Sequence, residues 1–501
     1  MNRKQGRALV DDSSFAQRFG KHPRLRSIEA FHLFSSVEPW PNCVTSRHRF
    51  QGTIDIELAK QAWQHCVARQ HHSTWPIQGR SRKTWNTSPE SRKPIGEVAE
   101  QSFREVLVDH WPENEADTEL PNFNERGLPQ IDVESGTGFG LWCIHSRSDD
   151  RVTLLFVAHH TLADGVAAIA FVRQWMSAYH NLCQNEPIDR GLPKLDWERW
   201  KSRSKLGLLK WSFLKFLPCQ VIGLFGASKF IFRKFSTLEP APTDAIRNNV
   251  SAPGIAGRTF SPQIVAELKD RSQRLNVSTN SLLMTILFRA LEHVKQQVSV
   301  GDFQHCQWAE RKWIRLILPI ATRGLADRKL PLANKSSIVQ IERTFDQVRD
   351  ADGAAQSLER EIRIIIGFKL EQIFLILIRA ASLFPWLLRK VSTNSKSRGT
   401  AVFTNLGEPF RKTRSCNFRQ LGDLKLVDFD LWGPIRSGTP LNVIWSLSRQ
   451  DPSAVDSADE GKAILGRLSV HFDRALLSPQ EADIVLDAFE RELVEVTHFG
   501  G

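Results

Sequence analysis

The sequence predicts a mixed α/β protein of two lobes, on three observations. The chain is 501 residues long, more than a single hydrophobic core usually organises. Strand-like and helix-like patterns follow one another along it, with no internal repeat of solenoid length. Its composition shifts near the middle, where a basic, aromatic stretch runs into the linker-like TLEPAPTDAIRNN before helical patterns resume. We therefore expect an N-terminal lobe over 25–240, a C-terminal lobe over 250–495 and a flexible N-terminus over 1–24.

The elements have local reasons. IEAFHLFSS reads as a short helix, and the next strand ends at Gly52. A helix starts near Asp55, with apolar residues at helical spacing. FGLWCIHSRSDDRVTLLFVAHH places two β-rich runs around a Ser-Arg-Ser-Asp-Asp turn, which is a hairpin. RTFSPQIVAELKDRSQRLNVSTNSLLMTILFRALEHV opens the second half as two helices, the second capped by Ser278 or Thr279. RKWIRLILPIATRG, TAVFTNLGEPF, LKLVDFDLWGP and LNVIWSLSR read as strands, and the last segment as an amphipathic helix.

Hydrophobic residues make up 41% and charged residues 24% of the chain, which fits a soluble globular protein and excludes a disordered one. The net charge of +12 suits anionic partners such as phosphates, acidic carrier proteins or lipid headgroups, or is simply a soluble basic surface. The seven cysteines are scattered, with no CxxC pair, so a reducing, cytoplasmic setting is expected. No secretory signal is expected from MNRKQGRALVDDSSFAQRFG. The most apolar run, FLPCQVIGLFGAS, falls short of the ~18 residues a spanning helix needs.

The most informative stretch is LLFVAHHTLADGVAAIAF, residues 154–171. A strand delivers His159 and His160, and an alanine-rich helix follows. Adjacent residues on a strand point to opposite faces, so one histidine faces a pocket and the other packs inward. Asp164 stands at the helix mouth, where the dipole favours a carboxylate. Gly165 permits close approach of a ligand or another backbone. A neutral imidazole titrating near 6.5 is a ready general base at neutral pH. We expect no metal: diverging histidines make poor co-ligands, and no Cys or Glu cluster completes a site. No GxSxG elbow points to a serine hydrolase.

HHTLADG resembles the HHxxxDG signature of the chloramphenicol acetyltransferase-like superfamily, which includes condensation domains, wax ester synthase/diacylglycerol acyltransferases and BAHD acyltransferases. The likeness spans about 25–495. GTIDIELAKQAWQHCVARQHHSTWPI resembles the family's early helix, although ARQHHSTW departs from its Arg-His-Pro-type segment. LPIATRG with Asn334, FTNLGEPF and DFDLWGP resemble further landmarks in the right order. The resemblance implies a two-lobed α/β sandwich with a tunnel between the lobes. It implies an acyltransferase in which His160 deprotonates a hydroxyl or amine acceptor, with no covalent acyl-enzyme. His159 and Asp164 are then structural, Asp164 pairing with an arginine. Gly165, Asn405 and Thr404 are candidate substrate contacts, the last two equally readable as strand-end residues. The implied donor is acyl-CoA or a phosphopantetheine-linked acyl group, with no tightly bound cofactor. An acyl carrier protein is a candidate partner and nucleic acid is not. The competing reading is a catalytically silent condensation-like module that binds a carrier protein or membrane. An epimerase-type function is set aside for want of peptide-synthetase neighbours in this chain.

The segment Trp197–Phe235 interleaves Lys205, Lys210, Lys215, Lys229, Arg233 and Lys234 with aromatic and aliphatic residues. That mixture suits a helix in a membrane interface, hence peripheral membrane contact. It equally suits apolar residues that line the lobe junction or tunnel.

Overall fold

The computed structural model describes residues 23–36, 42–79, 83–91, 93–108, 131–203, 216–240, 254–301, 303, 306–309, 311–393, 398–413, 416–434, 439–449, 464–474 and 476–498. Of the expected N-terminal segment 1–24, all but Pro23 and Arg24 lies outside these residues.

Two sheets organise the chain. The first holds β1 (Cys43–Gln51), β4 (Phe103–Val108), β5 (Phe139–Ser146), β6 (Arg151–His159), β13 (Gln420–Leu421) and β14 (Leu424–Trp432), in the order β13-β14-β1-β6-β5-β4. The pair β2 (Ile77–Gln78) and β3 (Thr84–Trp85) stands apart from it. The second sheet holds β7 (Phe235–Pro240), β8 (Gly254–Phe260), β9 (Cys306–Ala309), β10 (Trp313–Ala321), β11 (Ser336–Arg343), β12 (Ala401–Asn405), β15 (Leu441–Arg449) and β16 (Ile464–Phe472). Its order is β8-β16-β15-β12-β10-β7-β9, with β11 beside β10. This is the mixed, two-lobed architecture expected of the sequence.

Chain order and sheet membership part company at two places. β14 pairs antiparallel with β1, Thr45 opposite Trp432, so the second half of the chain donates a hairpin to the first sheet. β7 belongs to the second sheet although it precedes residue 250. Asp430 of β14 joins the two sheets. It receives Arg47 Nη2 at 2.6 Å from β1, and Ser469 Oγ at 2.7 Å and Arg467 Nε at 2.5 Å from β16. Those guanidinium groups hold its buried carboxyl well below the usual carboxylate range, against the opposing effect of burial.

Helices cover the sheets because their apolar faces match them. The first lobe holds α1 (Ser27–Phe34) and α3 (Ile95–Gln101), the latter packed beside the main pair, α2 (Ile56–Arg69) and α4 (Gly165–Cys183). Trp63 of α2 meets Phe156 of β6 and Phe171 of α4 edge-on, with ring centres 6.2 and 5.6 Å apart. In the second lobe α7 (Pro262–Arg274), α8 (Thr279–Val300) and α12 (Pro479–His498) pack on the larger sheet, burying Leu283, Leu287, Leu468 and Phe489. Ser278 caps α8 by accepting from the Ser281 N–H at 3.2 Å, and Gly301 at φ +90° closes it.

The stretch Trp197–Phe235 is not one interfacial helix. It starts with α5 (Trp197–Lys201), whose Trp200 is buried edge-on against His72 and Trp75, at 5.1 and 5.8 Å. Arg203 then pairs with Glu29 inside the protein, Nη2 to Oε2 at 2.9 Å. Lys205, Lys210 and Lys215 fall outside the described residues. The chain resumes as α6 (Leu217–Phe232) and enters β7. Trp200 found room in the core and Trp197 packs partly buried against it, so among the described residues of the stretch α6 remains open to the interfacial reading.

Candidate active site

His159 ends β6 opposite Cys43 of β1 and turns into the protein, where it is buried. Its Nδ1 accepts from the Thr161 N–H at 3.2 Å. Burial, with His160 beside it, pushes its imidazole down to about 3. His48 and His72 are likewise pushed down to about 3 by burial. Unfolded histidines titrate near about 6.5, so between about pH 3 and about pH 6.5 the unfolded chain binds more protons than the folded one. Stability is then full above that range and falls as the pH drops through it. The melting temperature, followed from about pH 7 to about pH 4 at fixed ionic strength, should decline steadily.

His160 faces the other way, into a cavity of about 2100 Å³. Three elements fix it. Its N–H donates to the Asn42 carbonyl at 2.7 Å, its ring stacks on that of His32 with centres 4.0 Å apart and planes 3° apart, and Asn334 Nδ2 lies 2.9 Å from its Nδ1. Asn334 Nδ2 also donates to the His160 carbonyl at 2.9 Å. His32, on α1, is itself 3.1 Å from Asn42 Nδ2 through its Nδ1. His32 and Asn42 escaped the sequence reading: they lie far from the HHTLADG motif, with no spacing that connects them to it.

Asp164 lines the cavity beside His160 and also ties the loop together. It caps α4 through the Ala167 N–H at 2.8 Å, receives Arg323 Nη2 at 3.0 Å on both oxygens and the Lys335 N–H at 2.7 Å, and is buried. Arg323 Nη2 continues to the Ala333 carbonyl at 2.6 Å. Asn334 thus sits between two residues tied to Asp164, and the carboxylate positions the amide that holds His160.

Gly165, Thr404 and Asn405 line the same cavity as His160, whereas His159 does not. A Cβ on Gly165 would stand 3.4 Å from Leu431 Cδ2, so the helix start lies close against β14. Asn405 spends its Oδ1 on the Gly407 N–H at 3.0 Å, a strand-end turn. The β10 and β11 wall carries internally paired charges: Arg315 Nη2 to Glu342 Oε1 at 2.6 Å, and Arg343 Nη2 to Glu361 Oε2 at 2.7 Å. Among the described residues no group of three or more His, Cys, Asp or Glu could hold a metal ion, and none of their helices is long and apolar enough to cross a membrane.

Solved structures share this two-lobed fold, and they include condensation domains. The chain superposes on the first condensation domain of the CDA synthetase with a TM-score of 0.64 at 11% identity, covering 95% of this chain and 96% of that one. It is similar to the starter condensation domain of rhizomide synthetase in complex with C8-CoA, TM-score 0.59 at 12% identity, covering 97% and 96%. It is also similar to the X-domain from teicoplanin biosynthesis in complex with OxyB, TM-score 0.59 at 12% identity, covering 96% and 94%. No family model and no curated protein matches the chain.

Proposed function

We propose that the chain is an acyltransferase. It moves an acyl group from a CoA thioester, or from a phosphopantetheine thioester on a carrier protein, to a hydroxyl or amine acceptor. His160 acts as general base from the cavity wall, no covalent acyl-enzyme forms, and no tightly bound cofactor is needed. The observation that carries the reading is the fixed His160 ring, held by Asn334 and His32 at the cavity surface. Two neighbours with the same fold support it, the first condensation domain of the CDA synthetase and a starter condensation domain in complex with C8-CoA. The test is incubation of the pure protein with labelled acyl thioesters and mixed alcohols and amines. Labelled ester or amide product supports the proposal. An X-domain in complex with OxyB favours the silent-module alternative, and absence of any product, together with carrier-protein binding, would establish that alternative instead.

Asn334 favours a variation on the role of the ring. Its Oδ1 accepts from the Ser336 N–H at 3.1 Å and from Ser336 Oγ at 2.7 Å, so its amide nitrogen is the end turned to His160. A neutral imidazole that accepts at Nδ1 carries its proton on Nε2. Such a ring is poised to donate to a developing oxyanion, and serves as a base only in the opposite tautomer. Asn334→Asp separates the two roles, because a carboxylate favours the proton on Nδ1. If His160 is the base, the folded variant retains or gains turnover. If it is the donor, kcat falls by about a hundredfold. Steady-state kinetics with a melting curve as control reads the difference.

A further inference from the structure

Most of the large apolar side chains that the described residues expose are gathered on one group of helices. Ile222 and Phe225 of α6 are 70% and 73% exposed, and Ile366, at the end of α9 (Ala351–Gly367), is 57% exposed. Leu383, Phe384 and Trp386 follow at 70%, 55% and 66%, where α10 (Gln372–Ala381) turns into α11 (Pro385–Ser392). The helices form one packed unit. Gln220 Nε2 of α6 donates to the Phe368 and Lys369 carbonyls at 2.7 and 2.8 Å, and Gly223 lies so near α10 that a Cβ there would stand 2.6 Å from Ile373 Cδ1. α10 and α11 rest on α1 through a buried cluster of Ile28, Phe31, Ile378 and Leu388. Soluble monomers seldom leave an apolar surface of this extent open to water.

The His160 cavity opens through this surface. Ile364, Leu377 and Val391 are exposed and line the cavity as well, which marks its mouth. Just inside, Phe374, Ile378 and Leu388 continue the apolar wall. The rim is cationic: Arg379, Arg389 and Lys390 are exposed, and between Phe368 and Ser392 Glu371 is the single acidic residue. Apolar side chains with an exposed tryptophan, bordered by Arg and Lys, match a bilayer interface whose headgroups are anionic.

We propose that α6, α9, α10 and α11 dock on an anionic lipid bilayer, and that a long-chain acyl group passes between the bilayer and the His160 cavity through this mouth. The docking stands on exposure and charge alone; the passage of an acyl chain rests on the acyltransferase reading. A chain that moves from hydrocarbon to the Phe374 and Leu388 wall never meets bulk water, and so avoids the cost of exposing its methylenes.

Vesicle sedimentation of the full chain tests the docking without reference to turnover. The protein should sediment with vesicles of phosphatidylcholine mixed with phosphatidylglycerol, much less with phosphatidylcholine alone, and less as sodium chloride rises. Phe225→Glu combined with Leu383→Glu and Trp386→Glu should reduce the bound fraction by about tenfold or more. These side chains are already exposed, so the melting temperature should hold. Transfer from a short, water-soluble thioester should also be unchanged in the variant. Loss of vesicle binding in the folded variant supports the docking, whether or not transfer is detected. Absence of binding at low salt overturns it, and so does undiminished binding by the folded variant. Light scattering that shows a dimer of this chain, dissolved by the same three substitutions, overturns it in favour of a contact between two copies.

Discussion

His160→Ala should lower acyl transfer by about a hundredfold or more while the protein stays folded. The ring meets the Asn334 amide and the His32 face and is only partly buried. Its backbone bond to the Asn42 carbonyl survives truncation. The strand and helix on either side keep their own support: β6 stays paired with β1, and Asp164 still caps α4. Stability should therefore change by no more than about 1 kcal/mol, as for one lost hydrogen bond. The measurement is product formation from a labelled acyl thioester, beside a thermal melt. A folded variant that keeps its activity removes His160 from the chemistry, whichever tautomer it uses.

Local order made the centre of the site legible. Strand, histidine pair, carboxylate cap and helix fall within residues 154–171, and each is a short-range consequence of its own residues: alternation sends His159 inward and His160 outward, and Asp164 caps the helix it precedes. What the sequence could not express is which distant elements converge there. His32 comes from α1, and Asn334 from the loop before β11. Asn334 stood out only as a family-like landmark, and nothing near it in sequence names His160 as its partner. The same limit hid the β14 hairpin, since pairing Thr45 with Trp432 depends on long-range register that no local pattern records. The basic aromatic stretch fails differently. Trp200 and Phe225 belong to segments of like composition, yet one is buried against His72 and the other is open to solvent. Composition is silent on that choice, which turns on what happens to pack against each face.

Asp164→Ala should lower stability and activity together, by about 3 to 5 kcal/mol in the first, as when one partner of a buried ion pair is removed. Three donors lose their acceptor at once: the Ala167 N–H, through which the carboxylate closes the first turn of α4, Arg323 Nη2 and the Lys335 N–H. Arg323 is then left with the Ala333 carbonyl but without a counter-charge in a largely buried position. Activity falls by a separate route. Lys335 and Ala333 flank Asn334, so freeing them from Asp164 lets the amide that holds His160 drift, and a drift of an ångström in a catalytic group is costly. Asp164→Asn isolates the charge, because asparagine caps a helix about as well as aspartate and can still accept from Lys335. Its stability loss should be the smaller of the two, and its melting temperature should fall between those of the wild type and the alanine variant. If turnover fell in both variants while the melting temperature stayed put, Asp164, which borders the cavity, would have to touch the reacting atoms itself, and its bonds to Ala167, Arg323 and Lys335 oppose that.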